Sequence, residues 1–162
     1  MKILSPAKIN LFLKVTGKRP DGYHELFSLM CCVSLFDTLI LQFGGKKIAL
    51  ESSHPDIPLD DTNLACQAAA LFFKNMRSND GVKIILEKSI PVAAGLGGGS
   101  SNAASVLKGL NHHYNHPFSR KQLMSMGLGL GADVPFFLFE KPALATGIGE
   151  RLEAYPEVLP YH

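Results

Sequence analysis

Gly95, Gly97, Gly98 and Gly99 put four glycines into five positions, followed directly by Ser100 and Ser101. Glycine lets a backbone take positive φ and approach a ligand closely. Ala103, Ala104, Leu107 and Leu110 then recur at helical spacing, so the glycines lead into a helix that Ser100 is expected to open. The free N–H groups and positive dipole end of such a helix favour phosphate oxygens. The run Pro91, Val92, Ala93, Ala94, Gly95, Leu96, Gly97, Gly98, Gly99, Ser100 and Ser101 is therefore a candidate phosphate cradle. It lacks the Gly-Lys-Ser/Thr ending of a Walker A loop. It also lacks the last glycine of a dinucleotide fingerprint, because Ser100 stands there. A flexible turn capped by Ser100 is the plainer alternative.

Moving the terminal phosphoryl group of a nucleotide to an alcohol also needs charge neutralisation and a group that orients or deprotonates the hydroxyl. Asp133 lies in Gly131-Ala132-Asp133, where it serves equally well as a base or as the closer of a turn. Lys8 and Asn10 are two apart on an alternating segment and so share one strand face with Phe12 and Lys14. Ala7, Ile9, Leu11, Leu13 and Val15 are expected on the core face.

These groups must be held by a folded scaffold. Residues 7–15 read as a strand, 16–22 as a turn, and 24–43 as one long or two shorter strands. Residues 47–52 allow another strand, and 54–61 form a proline-bearing loop. Thr62 is the expected cap of a helix carrying Leu64, Ala68, Leu71, Phe72 and Met76. A strand over 82–86 then feeds the glycine loop. Ser119 and Gln122 make a capping box for a third helix. Residues 127–135 read as a second glycine-bearing loop, and 136–139 with 143–146 as paired strands. Strands interleaved with helices indicate an α+β or mixed α/β domain.

Hydrophobic residues make up 46% of the 162, enough for a sizeable core, and the formal charge of +2 offers no electrostatic case for nucleic acid or membrane binding. The odd set Cys31, Cys32 and Cys66 has no C-x-x-C spacing, which points to a reducing compartment rather than a disulfide framework. The N-terminus lacks the apolar stretch of a signal peptide, and no run approaches the ~18 apolar residues of a membrane helix. The expectation is a cytoplasmic protein. His112, His113 and His116 sit in a helix-ending loop without a nearby cysteine or acid, so no metal site is assigned to them.

The segment from Pro91 to Ser101 resembles the ATP loop of the GHMP kinase superfamily, P-x-x-x-G-L-G-(S/G)-S-(S/A). The triple glycine followed by Ser100-Ser101-Asn102-Ala103-Ala104 is similar to the branch acting on 4-diphosphocytidyl-2-C-methyl-D-erythritol. So are Ser5 to Leu13, Arg19 to Leu26, and Gly131 to Phe137. The resemblance implies a two-layer α+β fold like that of a ribosomal protein, with a mixed sheet backed by helices. It implies ATP and Mg²⁺, with the small alcohol as acceptor and no nucleic acid or membrane partner. It gives Asp133 the role of base and Lys8 that of its cationic partner. Asn10 then contacts substrate or phosphate, Tyr23 and His24 contact the cytidine end, and Asn63 and Lys88 lie near adenosine. Other GHMP kinases, acting on homoserine or mevalonate, fit the Tyr23-His24 segment less well.

The superfamily's third glycine-rich motif, G-S-G-x-x-x-F, does not follow Asp133. Residues 1–150 are accordingly expected to form the N-terminal ATP-binding domain. Residues 151–162 are expected to begin a truncated C-terminal domain or a linker. A non-catalytic nucleotide-binding fragment is the alternative reading.

Overall fold

A computed structural model describes residues 1–18, 22 and 24–156. Strand β1 spans Lys2–Lys18 and β2 spans His24–Gly45. The short β3 (Ala49–Glu51) precedes helix α1 (Leu64–Met76) and strand β4 (Gly81–Glu87). Helices α2 (Gly98–His113), α3 (Arg120–Leu130) and α4 (Val134–Phe139) follow. Strands β5 (Ala143–Gly147) and β6 (Arg151–Ala154) close the described chain.

The 22-residue β2 is the spine of the sheet. One edge pairs with β1 along its length. The other edge is shared, with β5 against Leu26–Met30 and β4 against Thr38–Gly45. The pairings are antiparallel except β3 with β4, so the sheet is mixed, as expected. The boundary drawn after residue 150 falls inside the β5–β6 hairpin, since Arg151 pairs with Thr146.

Helices α1 and α2 lie on the sheet because each carries an apolar stripe at helical spacing. Ala65, Ala68, Ala69 and Phe72 of α1 and Ala103, Ala104, Leu107 and Leu110 of α2 are fully buried. They pack with Leu39, Leu41, Val82, Ile84 and Leu86 of the sheet. Fully burying one such aliphatic side chain contributes about 1.5–3 kcal/mol. No helix among the described residues is long and apolar enough to cross a membrane.

Several local expectations change. The cap of α1 is Asn63, whose side chain accepts from the Ala65 N–H at 2.9 Å. The Thr62 hydroxyl instead donates to Asp60 at 2.6 Å. Helix α2 begins at Gly98, two residues before Ser100, so the last glycines form its first turn. The Ser119–Gln122 capping box is present, but α3 runs on through Gly127 and Gly129 to Leu130. Residues Val134–Phe139 form α4 rather than a strand. Pro135 sits in the first turn, where its missing N–H is no loss. The alternation of β1 also breaks. Leu11, Leu13 and Val15 are 41%, 56% and 54% exposed, because the pairing shifts register between Asn10 and Phe12 and the outer end of the hairpin runs past the helices.

Candidate active site

The glycine loop crosses from β4 to α2 over the inner half of β1. The Lys8 backbone N–H donates to the Leu96 carbonyl at 2.9 Å, which ties the loop to the strand. Gly97 caps α2 with φ +69°, and a Cβ there would lie 3.0 Å from Phe137 Cζ and 3.1 Å from Lys8 Cγ. The lysine stem therefore occupies space that only glycine leaves open. The Ser101 N–H bonds the Gly97 carbonyl at 2.8 Å. The N–H groups of Gly98, Gly99 and Ser100 precede it in the helix and have no intrahelical acceptor, the arrangement that suits an anion.

Beside these amides is a cleft of about 390 Å³. It is lined by Pro91 through Ser100, by Asn63 and Lys88, and by Ile57, Pro58 and Leu64. Asn63 thus both caps α1 and faces the cleft, and its Nδ2 also donates to the Pro58 carbonyl at 3.0 Å. At the rim, the Thr62 hydroxyl and then its amide hold the Asp60 carboxyl below the usual carboxylate range.

On the β1 side of the loop, Lys8 Nζ lies 3.3 Å from Asp133 Oδ2. The lysine side chain is 9% exposed and the aspartate 36%, so the pair opens to solvent on the carboxylate side. Lys8 Nζ also donates to Asn10 Oδ1 at 2.8 Å. Asn10 Nδ2 in turn donates to Ser28 Oγ at 2.8 Å, which fixes the amide orientation. Asp133 makes no side-chain capping bond to α4, although it holds the N-cap position. The turn role that the sequence left open is therefore not filled by its carboxylate. Lys8, Asn10, Asp133 and the loop come together, although 125 positions separate the first and third of them.

Other candidates are placed differently. The Ser101 hydroxyl points inward and bonds Ser5 Oγ at 2.8 Å, and Ser101 does not line the cleft. Lys88 lines the cleft, but its ammonium is paired with the fully buried Asp37. His24 is exposed at the start of β2, paired with Lys18 in the β1–β2 ladder. Tyr23 lies outside the described residues. Of the histidines, His113 stacks on Phe43 at 3.6 Å between ring centroids, and His116 meets His112 edge-on.

Residues 63–141 match the family model for the GHMP kinases N terminal domain. A Syntrophotalea carbinolica protein named 4-diphosphocytidyl-2-C-methyl-D-erythritol kinase is 51% identical over 151 residues, covering 93% of this chain and 54% of that protein. The chain belongs to the GHMP kinases.

A second GHMP kinase of the same name, from Syntrophus aciditrophicus, is 49% identical over 158 residues, covering 98% of this chain and 57% of that protein. The crystal structure of 4-(cytidine 5'-diphospho)-2C-methyl-D-erythritol kinase superimposes with a TM-score of 0.81 at 44% identity, covering 96% of this chain and 55% of that one. The chain spans about half the length of the relatives it matches.

The GHMP fold also buries polar residues that sequence reasoning missed. Ser5, Asp37, Asn102 and Ser105 are each at most 3% exposed and hydrogen-bonded to one another or to Lys88. Asp37 carries the one legible signal. It is an acid inside the apolar run Leu35-Phe36-Asp37-Thr38-Leu39, and a buried carboxylate requires partners.

Proposed function

We propose that the chain forms the ATP-binding and proton-accepting part of a kinase that phosphorylates the 2-hydroxyl of 4-diphosphocytidyl-2-C-methyl-D-erythritol, a step of non-mevalonate isoprenoid synthesis. One observation carries the reading: the Lys8–Asp133 pair at 3.3 Å stands against the same glycine loop whose helix amides open to the cleft. Relatives at 51% and 49% identity bearing that kinase name support the choice of acceptor.

In this reading the amides of Gly98, Gly99 and Ser100 hold phosphate oxygens, and Asn63 and Lys88 border the nucleotide. Asp133 accepts the proton of the acceptor hydroxyl. The alcohol oxygen forms its bond to the γ-phosphorus as the bond to the β-phosphate oxygen breaks, and ADP leaves. The Lys8 ammonium, steered by Asn10, faces the negative charge of the transferring group, where a fixed cation acts without reorganising. Asn10, Tyr23 and His24 are assigned to the acceptor.

Magnesium typically keeps several waters and is held by phosphates with one or two carboxylates. An ion carried on the triphosphate would lie against Ser100, which lines the cleft. Bound there, it would neutralise phosphate charge.

The test is incubation of the 162-residue protein with Mg-ATP and the diphosphocytidyl alcohol, with phosphorylated product followed by mass and Asp133→Asn as control. Product formation abolished by the variant supports the reading. Nucleotide binding without product supports the non-catalytic alternative.

A further inference from the structure

The glycine loop has almost no side chains with which to hold its own shape. Glycine loses more conformational freedom on ordering than any other residue, so an ordered loop of this composition needs external restraint. Lys8 supplies one bond, at Leu96. The remaining restraint comes from a residue that lies outside the loop and does not line the cleft: Asp37.

Asp37 is fully buried on β2, opposite Ser5. Its Oδ1 accepts the backbone N–H groups of Ser89 and Ile90, each at 2.9 Å. Its Oδ2 accepts Asn102 Nδ2 at 3.0 Å and the Lys88 ammonium. A carboxylate offers about four lone-pair sites, so this one is saturated. Ser89 and Ile90 lie just before the loop, and Asn102 lies just after it on α2. Asn102 is itself braced by Ser5 Oγ at 3.2 Å, which also meets Ser101 and Ser105.

One carboxylate therefore grips both ends of the loop. It also fixes Lys88, whose Nζ lies 2.9 Å from where a Gly98 Cβ would stand, against the first turn of α2. Because Asp37 neutralises that ammonium, phosphate oxygens meet backbone amides and the helix dipole rather than an unpaired lysine.

We infer that Asp37 is the positioning residue of the nucleotide site: it clamps Ser89, Ile90 and Asn102 so that the loop amides are preorganised for a nucleoside triphosphate. The inference rests on the ATP reading for its ligand, but the clamp itself has a readout independent of ligand. Preorganisation raises affinity by removing the ordering that binding would otherwise require.

In Asp37→Asn, one accepting oxygen becomes an N–H₂ group facing the Lys88 ammonium and Asn102 Nδ2, three donors with no acceptor. Asn102→Ala releases only the far end of the loop and leaves three donors on the carboxylate. It serves where the first variant does not fold. The measurements are amide hydrogen exchange at Ser89, Ile90 and residues 95–101, and Kd for Mg-ATP by calorimetry, both well below each variant's unfolding midpoint.

The clamp predicts exchange faster by about tenfold or more at those amides, and Mg-ATP bound about tenfold more weakly by Asp37→Asn, in line with the loss of hydrogen bonds to a charged group. A residue that merely stabilises the fold would lower the midpoint and leave Kd and loop exchange of the folded protein unchanged, which overturns the inference. A wild-type chain that binds no Mg-ATP would remove the nucleotide reading, and the exchange pattern would then decide the clamp alone: unchanged protection refutes it.

Discussion

Gly95 and Gly97 form a matched pair for testing how the loop and the lysine beneath it fit together. Both have left-handed backbones, with φ of +74° and +69°. An alanine at either position costs about 1–2 kcal/mol for that conformation. They differ in surroundings. A Cβ at Gly95 meets nothing within 4 Å, whereas one at Gly97 meets Phe137 at 3.0 Å and Lys8 Cγ at 3.1 Å. Phe137 is buried in the core and cannot swing away freely. Overpacking of this kind adds about 1–3 kcal/mol. Gly95→Ala should therefore destabilise by about 1–2 kcal/mol and Gly97→Ala by about 2–5 kcal/mol, the sum of the two effects. With a urea m-value of about 2 kcal/mol/M, the midpoints fall by ~0.5–1 M and ~1–2.5 M. Urea titrations of the three proteins followed by circular dichroism give both shifts. At saturating Mg-ATP, Gly97→Ala should also lower turnover, because Lys8 is among the atoms displaced. Equal midpoint shifts for the two alanines would refute the packing of Lys8 beneath the loop.

Asp133→Asn should reduce turnover about 10²–10⁴-fold, the usual weight of a positioned general base. Its Mg-ATP affinity should be unchanged, since the cleft lies across the loop; calorimetry beside the product assay separates the two, and undiminished turnover contradicts the role. Asn63→Ala should cost about 1 kcal/mol through loss of the α1 cap. Thr62→Ala should stay within about 0.5 kcal/mol, as for a surface position, so thermal or urea unfolding that reverses this order would return the cap to Thr62. At the far end of α1, the Lys46 ammonium first, with the Ser78 and Tyr114 hydroxyls, holds the Asp80 carboxyl below its ordinary value of 3.8. A lowered folded pKa gives stability that is present above the unfolded pKa and lost as pH falls through the folded one. The stability difference between wild type and Asp80→Asn should be constant above about pH 5 and shrink below about pH 4. A difference that holds at its neutral value in acid would show that the ion pair is not its source.

The glycine loop, the apolar stripes of α1 and α2, and the Ser119 capping box were legible because each depends on residues close in sequence. Lys8 and Asp133 were placed together by resemblance alone, since their contact requires the whole sheet and α3 to be in place first. The strand expected over 136–139 fails because three aromatics and a leucine suit a buried helix as well as a strand, and Pro135 at the first turn tips the choice. Thr62 and Asn63 are both good caps by type, and only the local loop decides, where Asp60 captures the threonine hydroxyl. Asp37 was passed over because a lone acid in an apolar strand gives no hint of which four donors will surround it. Those come from the segment after β4 and from α2.

The register shift at Leu11 divides β1 into two lengths of chain under different rules. A strand alternates with period two, so inserting or deleting one residue between Ala7 and Asn10, past the irregularity at Pro6 and Ala7, would put Lys8 or Asn10 on the opposite face. Beyond Leu11 nothing on β1 is buried, and the ladder to β2 already absorbs another irregularity between Val15 and Gly17. Paired additions to both arms of the hairpin there would lengthen it without moving Lys8 or Asp133, but would carry His24 outward, away from them. One half of a continuous strand is thus fixed in length by the contact of Lys8 with Asp133, while the length of the other sets how far His24 stands from that pair.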